Sequence, residues 1–364
     1  MLGDLESMVD ETGRKTTYKY LPGGLLETII YPEKTTERYT YDERDNLIGV
    51  FQYGKKGQRE RECHITRYER DLLGRVKTIV DPLGLKEHYV YDSKGQLVEK
   101  LDKEGYLTRY GYTSQGDISN IQYADGREVK LSYNPLCQLQ EIKDWLGTTK
   151  FESDLLGRAT EVLYPDDKKV SYTYGKGGRR TSITYPDEKT VYYKYDKDFR
   201  LSQLKEGDKV INYNYDRSGR LIKKIFPNHI ETAYQYNAKG QIEQLVHTDH
   251  KGIIDKYVYQ YDLSGNRTGI TRERRGLPEE SGRYTYTYDA IGRISSVARN
   301  EKLLRTYVYD SYGNRTKLTE KGRETAYKYN VVNQLQLKLD SHGETEYTFD
   351  KRGNQTLYRL ICGM

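Results

Sequence analysis

The feature that most constrains this chain is a period. A residue equivalent to Tyr215 recurs at Tyr20, Tyr41, Arg70, Tyr91, Tyr112, Tyr133, Ser153, Tyr174, Tyr195, Tyr236, Tyr261, Tyr288, Tyr309, Tyr329 and Phe349, giving 16 copies with 12 of the 15 spacings at 20 or 21 residues. A fixed interval of that size belongs to a repeat architecture, in which one small unit stacks on its neighbours. The other three spacings, 29, 25 and 27, place loop insertions near residues 51–64, 247–256 and 271–282. Residues 1–364 therefore read as a single array of hairpins, running from roughly residue 10 to 358.

The unit follows from its clearest copy, Tyr213-Asn214-Tyr215-Asp216-Arg217-Ser218-Gly219-Arg220-Leu221. Tyrosines at i and i+2 share one face of a strand. Asp216 then starts a tight turn by accepting backbone N–H groups, and Gly219 takes a left-handed conformation at no steric cost. Arg220 should face Asp216 across the hairpin neck, and Leu221 should lie opposite Tyr215 on the return strand. Tyr286, Tyr288, Asp289, Gly292, Arg293 and Ile294 repeat the pattern. A second apolar residue often follows three positions later, as at Ile121, Leu245 and Val297. Strict alternation would put it on the opposite face, so either a bulge intervenes or both faces are partly covered. The fold class is all-β: tandem hairpins of 20 or 21 residues in a long, curled antiparallel sheet.

With 31% charged residues the chain would ordinarily fall near the disordered class, but it holds 38 Tyr against 5 Phe and 1 Trp. Tyrosine buries a large ring while its hydroxyl meets water or a partner, which suits a sheet wetted on both sides. The net charge of +6 is a small difference between 60 basic and 54 acidic residues spread along the strands, so a mixed solvated surface is favoured over a nucleic-acid groove. Cys63, Cys137 and Cys362 have neither metal nor disulfide spacing. The acidic start Met1-Leu2-Gly3-Asp4-Leu5-Glu6 shows no signal peptide, and no apolar run is long enough for a membrane span.

Two strands per repeat at roughly 4.8 Å give a strip on the order of 150 Å long. Closed on itself, such a strip has a diameter on the order of 50 Å by the same spacing. That is a hollow wall, of which this chain would supply about one turn. Neither end carries a visible polar cap, so the chain reads as a piece of something longer.

The motif Y-x-Y-D-x-x-G-R-L at Tyr213 to Leu221 and Tyr286 to Ile294, with the variant Y-D-x-x-G-N-R-T at Tyr261 to Thr268 and Tyr309 to Thr316, resembles the RHS or YD-repeat family. The resemblance implies a spiral shell around a C-terminal effector, as in bacterial polymorphic toxins, the cocoons of insecticidal toxin complexes and the teneurins. It implies as partners a C-terminal toxin or further shell repeats, and a secreted or cell-surface location within a larger exported protein. The family's self-cleaving core and the toxin behind it are missing here. One D-P-x-G string of that core's type occurs, Asp81-Pro82-Leu83-Gly84, but it lies in an ordinary inter-hairpin turn slot and lacks a second copy.

No constellation rises to a catalytic, cofactor or metal site. His247, Asp249 and His250 fall in an insertion, and His229 and His342 in turns, without ligand spacing. The expected function is therefore a non-catalytic segment of a shell that encloses a toxin or effector. The alternative is a surface module that recognises carbohydrate or a partner protein through its aromatic and basic residues.

Overall fold

The computed structural model describes residues 3–55 and 63–361. Cys362 and residues 56–62 of the first insertion lie outside the described residues. Among the described residues there are 33 strands, assigned to one sheet, and helical conformation is limited to the single 3-10 turns Lys176–Gly178 and Pro278–Glu280. The chain forms two compact units. One comprises Met1–Leu107, Gln260–Ile270 and Gly282–Met364, the other Thr108–Tyr259 and Thr271–Ser281.

Within each unit the described pairings are antiparallel and join strands consecutive in the chain. Lys209–Tyr215 pairs with Leu221–Ile225 around the turn of the clearest copy. There Asp216 Oδ1 accepts the backbone N–H groups of Ser218 and Arg220, both at 2.9 Å, while Oδ2 accepts Arg220 Nε at 2.7 Å. Gly219 closes the turn at φ 82°, and Gly292 holds the equivalent place at 83°. Four turns fill that place with a residue bearing a Cβ, Asp45, Cys137, Phe199 and Asn333, and all four keep a positive φ. The turn geometry thus dictates the conformation even where glycine is absent.

A bulge settles where the second apolar residue points. Tyr215 is opposite Leu221 but Asn214 is opposite Lys223, so one return-strand residue is left out of register. The same shift recurs around the anchors of the other hairpins whose register is described. It turns a three-residue spacing into a same-face pair. Tyr288 then faces Ile294 while Tyr286 faces Val297, and Tyr236 faces Ile242 while Tyr234 faces Leu245. The row continues onto the next strand in Phe151, Val162 and Val170, which are successive cross-strand partners. Val162, Val170 and Ile183 are buried in one unit, and Ile270, Tyr284, Val297 and Tyr327 in the other. Each unit is held by such rows of cross-strand pairs.

The second and third insertions differ from the expected loops. Residues 247–256 extend the hairpin Ile242–Asp249 and Gly252–Tyr261 by several rungs. Residues 271–281 fold back beside it: Arg275 N–H donates to Ile254 O at 2.9 Å, and its guanidinium grips Asp249 while Arg274 Nε reaches Asp255 at 3.0 Å. The Arg275 guanidinium holds the Asp249 carboxyl down at about 2.

The turns can be tested sterically and by acid. Gly219→Val forces a β-branched residue into the left-handed region and should destabilise by about 1 to 3 kcal/mol. Urea unfolding reads the loss, and an unchanged midpoint would contradict the role given to this position. As for acid, the Arg158 guanidinium holds Asp154 below the usual carboxylate range, and the Arg220 backbone N–H and then its guanidinium do the same for Asp216. A depressed folded-state value stabilises fully above the unfolded value of about 3.9, and that stability is lost as pH falls through the folded value. Thermal midpoints should therefore hold steady down to about pH 5 and fall steeply below about pH 4. A midpoint that stays level to pH 2 would count against it.

Candidate interaction site: links between hairpins and the seam of unit one

YD turns that carry an arginine use it to grip the following repeat. The Arg220 guanidinium lies 4.9 Å from the centre of the Tyr236 ring, and the Tyr236 hydroxyl donates to Leu221 O at 2.7 Å. Arg75 with Tyr91, Arg158 with Tyr174, Arg200 with Tyr215 and Arg293 with Tyr309 repeat this at 4.6 to 4.9 Å. The corresponding hydroxyls donate to Val76, Ala159, Leu201 and Ile294 carbonyls at 2.8 to 3.0 Å. Arg200 and Arg293 also donate to the carbonyls of Asp216 and Asp310, the next turn's first residues, at 3.3 Å. Anchors of adjacent hairpins are two strand spacings apart, roughly 10 Å, too far for rings to touch. Arginine fills that gap, and in these hairpins its guanidinium over the next ring links one repeat to the following one.

These contacts place the predicted repeat residues. Tyr213, Tyr215, Asp216, Gly219, Arg220 and Leu221 form one hairpin end, and Tyr286, Tyr288, Asp289, Gly292, Arg293 and Ile294 form another in the other unit. The polar residues weighed as chemistry sit apart. Asp81 accepts the N–H groups of Leu83 and Leu85 and the Lys103 ammonium at 2.7 Å, the bonding of a turn aspartate. His247 Nδ1 lies 2.9 Å from the buried Thr232 hydroxyl. His229 occupies a turn at φ 61°, and His342 lies 3.6 Å from Asp340. Among the described residues no three His, Cys, Asp or Glu side chains converge on a metal position.

Sequence reasoning missed a seam in the first unit, where YD turns late in the chain meet inter-hairpin turns and strands near its start. Arg293 Nη2 donates to Glu33 at 3.0 Å, a contact 260 residues apart in sequence, and the Glu33 side chain is only 6% exposed. His64 stacks on Tyr312 with ring centres 3.6 Å apart, and Lys55 N–H donates to Ser311 Oγ at 3.1 Å. Farther along, the Arg352 guanidinium lies 3.6 Å from Asp102 and over the Tyr106 ring at 4.9 Å. Tyr31, Glu33, Tyr53, Ile291, Arg293 and Tyr312 line a cleft of ≈ 250 Å³ along this line. At its base Glu37 accepts the Tyr31, Tyr39 and Gln52 side chains, and burial together with this carboxylate pushes the Tyr31 phenol up to about 12.

The Teneurin YD-shell model matches residues 52–231 and 270–356. The chain belongs to the Teneurin YD-shell family. Over 188 residues the chain is 25% identical to the double-stranded DNA deaminase toxin A of Burkholderia cenocepacia, covering 48% of this chain and 12% of that protein. A further 98 residues are 33% identical to the tRNA nuclease WapA of Bacillus subtilis, covering 26% and 4%. The chain thus spans a small fraction of the length of these curated relatives. The shell fold itself recurs in a Photorhabdus luminescens Tc holotoxin pore, with TM-score 0.63 at 15% identity over 97% of this chain and 24% of that one. It recurs again in a TcdB2–TccC3 crystal structure without the hypervariable C-terminal region, at 0.59 and 14% over 95% and 26%. Among the described residues no helix is long and apolar enough to cross a membrane.

The seam generates a test. Glu33→Ala should loosen it by about 1 to 3 kcal/mol, since it strips a charge-assisted bond from a largely buried guanidinium. A double-mutant cycle with Arg293→Ala separates this bond from the one Arg293 makes to Asp289. A coupling energy near zero would show that the seam does not rest on this pair.

Proposed function

We propose that the chain is a non-catalytic stretch of shell wall that encloses a C-terminal effector polypeptide, within a larger exported or cell-surface protein used in toxin delivery or competition between cells. The observation that carries this reading is the seam. A one-layer sheet has two turn edges, and in the first unit one edge is fastened to the other by an ion pair and hydrogen bonds between residues 247 to 260 apart in sequence. Fastened edges make a barrier, where an unfastened strip would be only a scaffold. Family membership and the toxin relatives support the same reading. The carbohydrate-binding alternative would draw on the seam cleft and its tyrosines. Its acidic group, Glu37, is already engaged by three neighbouring side chains, which favours the wall.

The reading is tested by joining a protease-sensitive reporter after Met364 and following its cleavage. Enclosure predicts cleavage at least roughly tenfold slower than for the reporter alone, and faster again when Glu33→Ala and Arg293→Ala open the seam. Cleavage at the rate of the isolated reporter would overturn it.

A further inference from the structure

The YD turns of the second unit carry side chains at their tips that no turn needs. Leu136 of Asn134-Pro135-Leu136-Cys137-Gln138 is 61% exposed, and Leu155 and Leu156 of the next turn, Asp154-Leu155-Leu156-Gly157-Arg158, are 90% and 77% exposed. Phe199, two turns farther on, is 54% exposed. Successive YD turns lie two strand spacings apart, so these side chains stand as separate points along roughly 30 Å of one edge. Large apolar side chains exposed together mark a contact surface. The backbone beneath the leucines is already satisfied. Asp154 Oδ1 accepts the N–H groups of Leu156 and Arg158 at 2.9 and 3.1 Å, and Gly157 N–H donates to Asp154 O at 2.9 Å. Asn134 holds Leu136, Cys137 and Gln138 in the same way at 2.9 to 3.0 Å. The tips can therefore leave water without stranding these donors.

Charge on this edge is out of balance at one turn. Arg158, Arg200 and Arg220 each place Nε 2.7 Å from the aspartate that opens their own turn. In Gly175-Lys176-Gly177-Gly178-Arg179 a glycine stands where that aspartate would be. Arg179 lies instead over the Tyr195 and Phe199 rings at 5.6 and 5.1 Å, and Arg180 over Tyr172 and Tyr193 at 5.1 and 6.0 Å. Among the described residues Lys176, Arg179 and Arg180 form no ion pair. The opposite edge of the unit is balanced, with Asp166 on Lys168 and Asp187 on Lys189 at 2.6 and 2.5 Å. Uncompensated cations are thus set beside protruding leucines on the YD edge.

We propose that this YD edge docks on the surface of an anionic lipid bilayer. Leu136, Leu155 and Leu156 enter the headgroup boundary, and Lys176, Arg179 and Arg180 lie against acidic headgroups. A fluid surface closes around separate protruding points, where a folded partner would need a matching pocket for each. Mobile acidic headgroups can gather under three cations that have no fixed partner of their own. The contact is peripheral and needs no membrane-crossing segment. Whether the wall encloses anything has no bearing on it.

The test is flotation of the whole chain with vesicles of phosphatidylcholine, alone or mixed with phosphatidylserine, at low salt. The parent should float with the mixed vesicles and not with phosphatidylcholine alone, and added salt should release it. Leu155→Ser with Leu156→Ser, and separately Lys176→Gln with Arg179→Gln, should each weaken partitioning roughly tenfold or more. All four positions are exposed, so each variant should unfold thermally like the parent, which circular dichroism on the same samples checks. Entry of the tip is read from Leu156→Trp in a Trp145→Tyr background, whose emission should move to shorter wavelength on the mixed vesicles. A parent that stays at the bottom of the gradient, equal binding without phosphatidylserine, either double variant binding like the parent, or an emission that does not move would each overturn the proposal.

Discussion

One residue left out of register beside the YD turns governs the rest of the structure. Without that bulge, Ile242 and Leu245, or Ile294 and Val297, would point to opposite faces, and no continuous apolar row could form. The bulge also takes Leu221 out of the pairing with the next hairpin, which begins at Lys223 and Ala233. Its carbonyl needs a donor, and the Tyr236 hydroxyl supplies one. A phenylalanine could fill the same space but not donate. That requirement falls on the anchor position, which is Tyr in 13 of the 16 copies, and is one source of a composition of 38 Tyr and 5 Phe.

The local half of this fold was legible because it is local. The spacing of Asp216, Gly219 and Arg220 carries the turn, its left-handed residue and its cross-strand ion pair within five positions. The bulge was visible only as a conflict between a three-residue spacing and a two-residue strand period, and sequence alone left that conflict open. The arginine link between repeats was not legible: the turn spacing shows Arg220 facing Asp216, but not that its guanidinium also lies over Tyr236 of the next hairpin. In the second and third insertions, the alternation of residues 252–258 could have marked added strand, but the ion pair of Arg275 with Asp249 that secures it spans two insertions.

The seam was not legible at all. Glu33 and Arg293 look like any other charged turn residues, and nothing in one sequence ties positions 260 apart. A clue existed in the recurrence of Tyr-Pro-acid at residues 31, 164 and 185 among inter-hairpin turns that otherwise mostly begin with Asp, but its meaning depends on knowing which edge it faces.

The arginine that reaches from one turn into the next repeat has a mechanical consequence. Hydrogen bonds between neighbouring hairpins lie along the strip, so a pull on its two ends loads them head-on and a few at a time, as in opening a zip. Resistance is then set by one short strand, its guanidinium and its phenol, never by the whole sheet at once. Such a chain would yield under tension as a series of small, nearly equal steps, each lengthening it by a single strand, and would unravel from an end while the remaining hairpins kept their form.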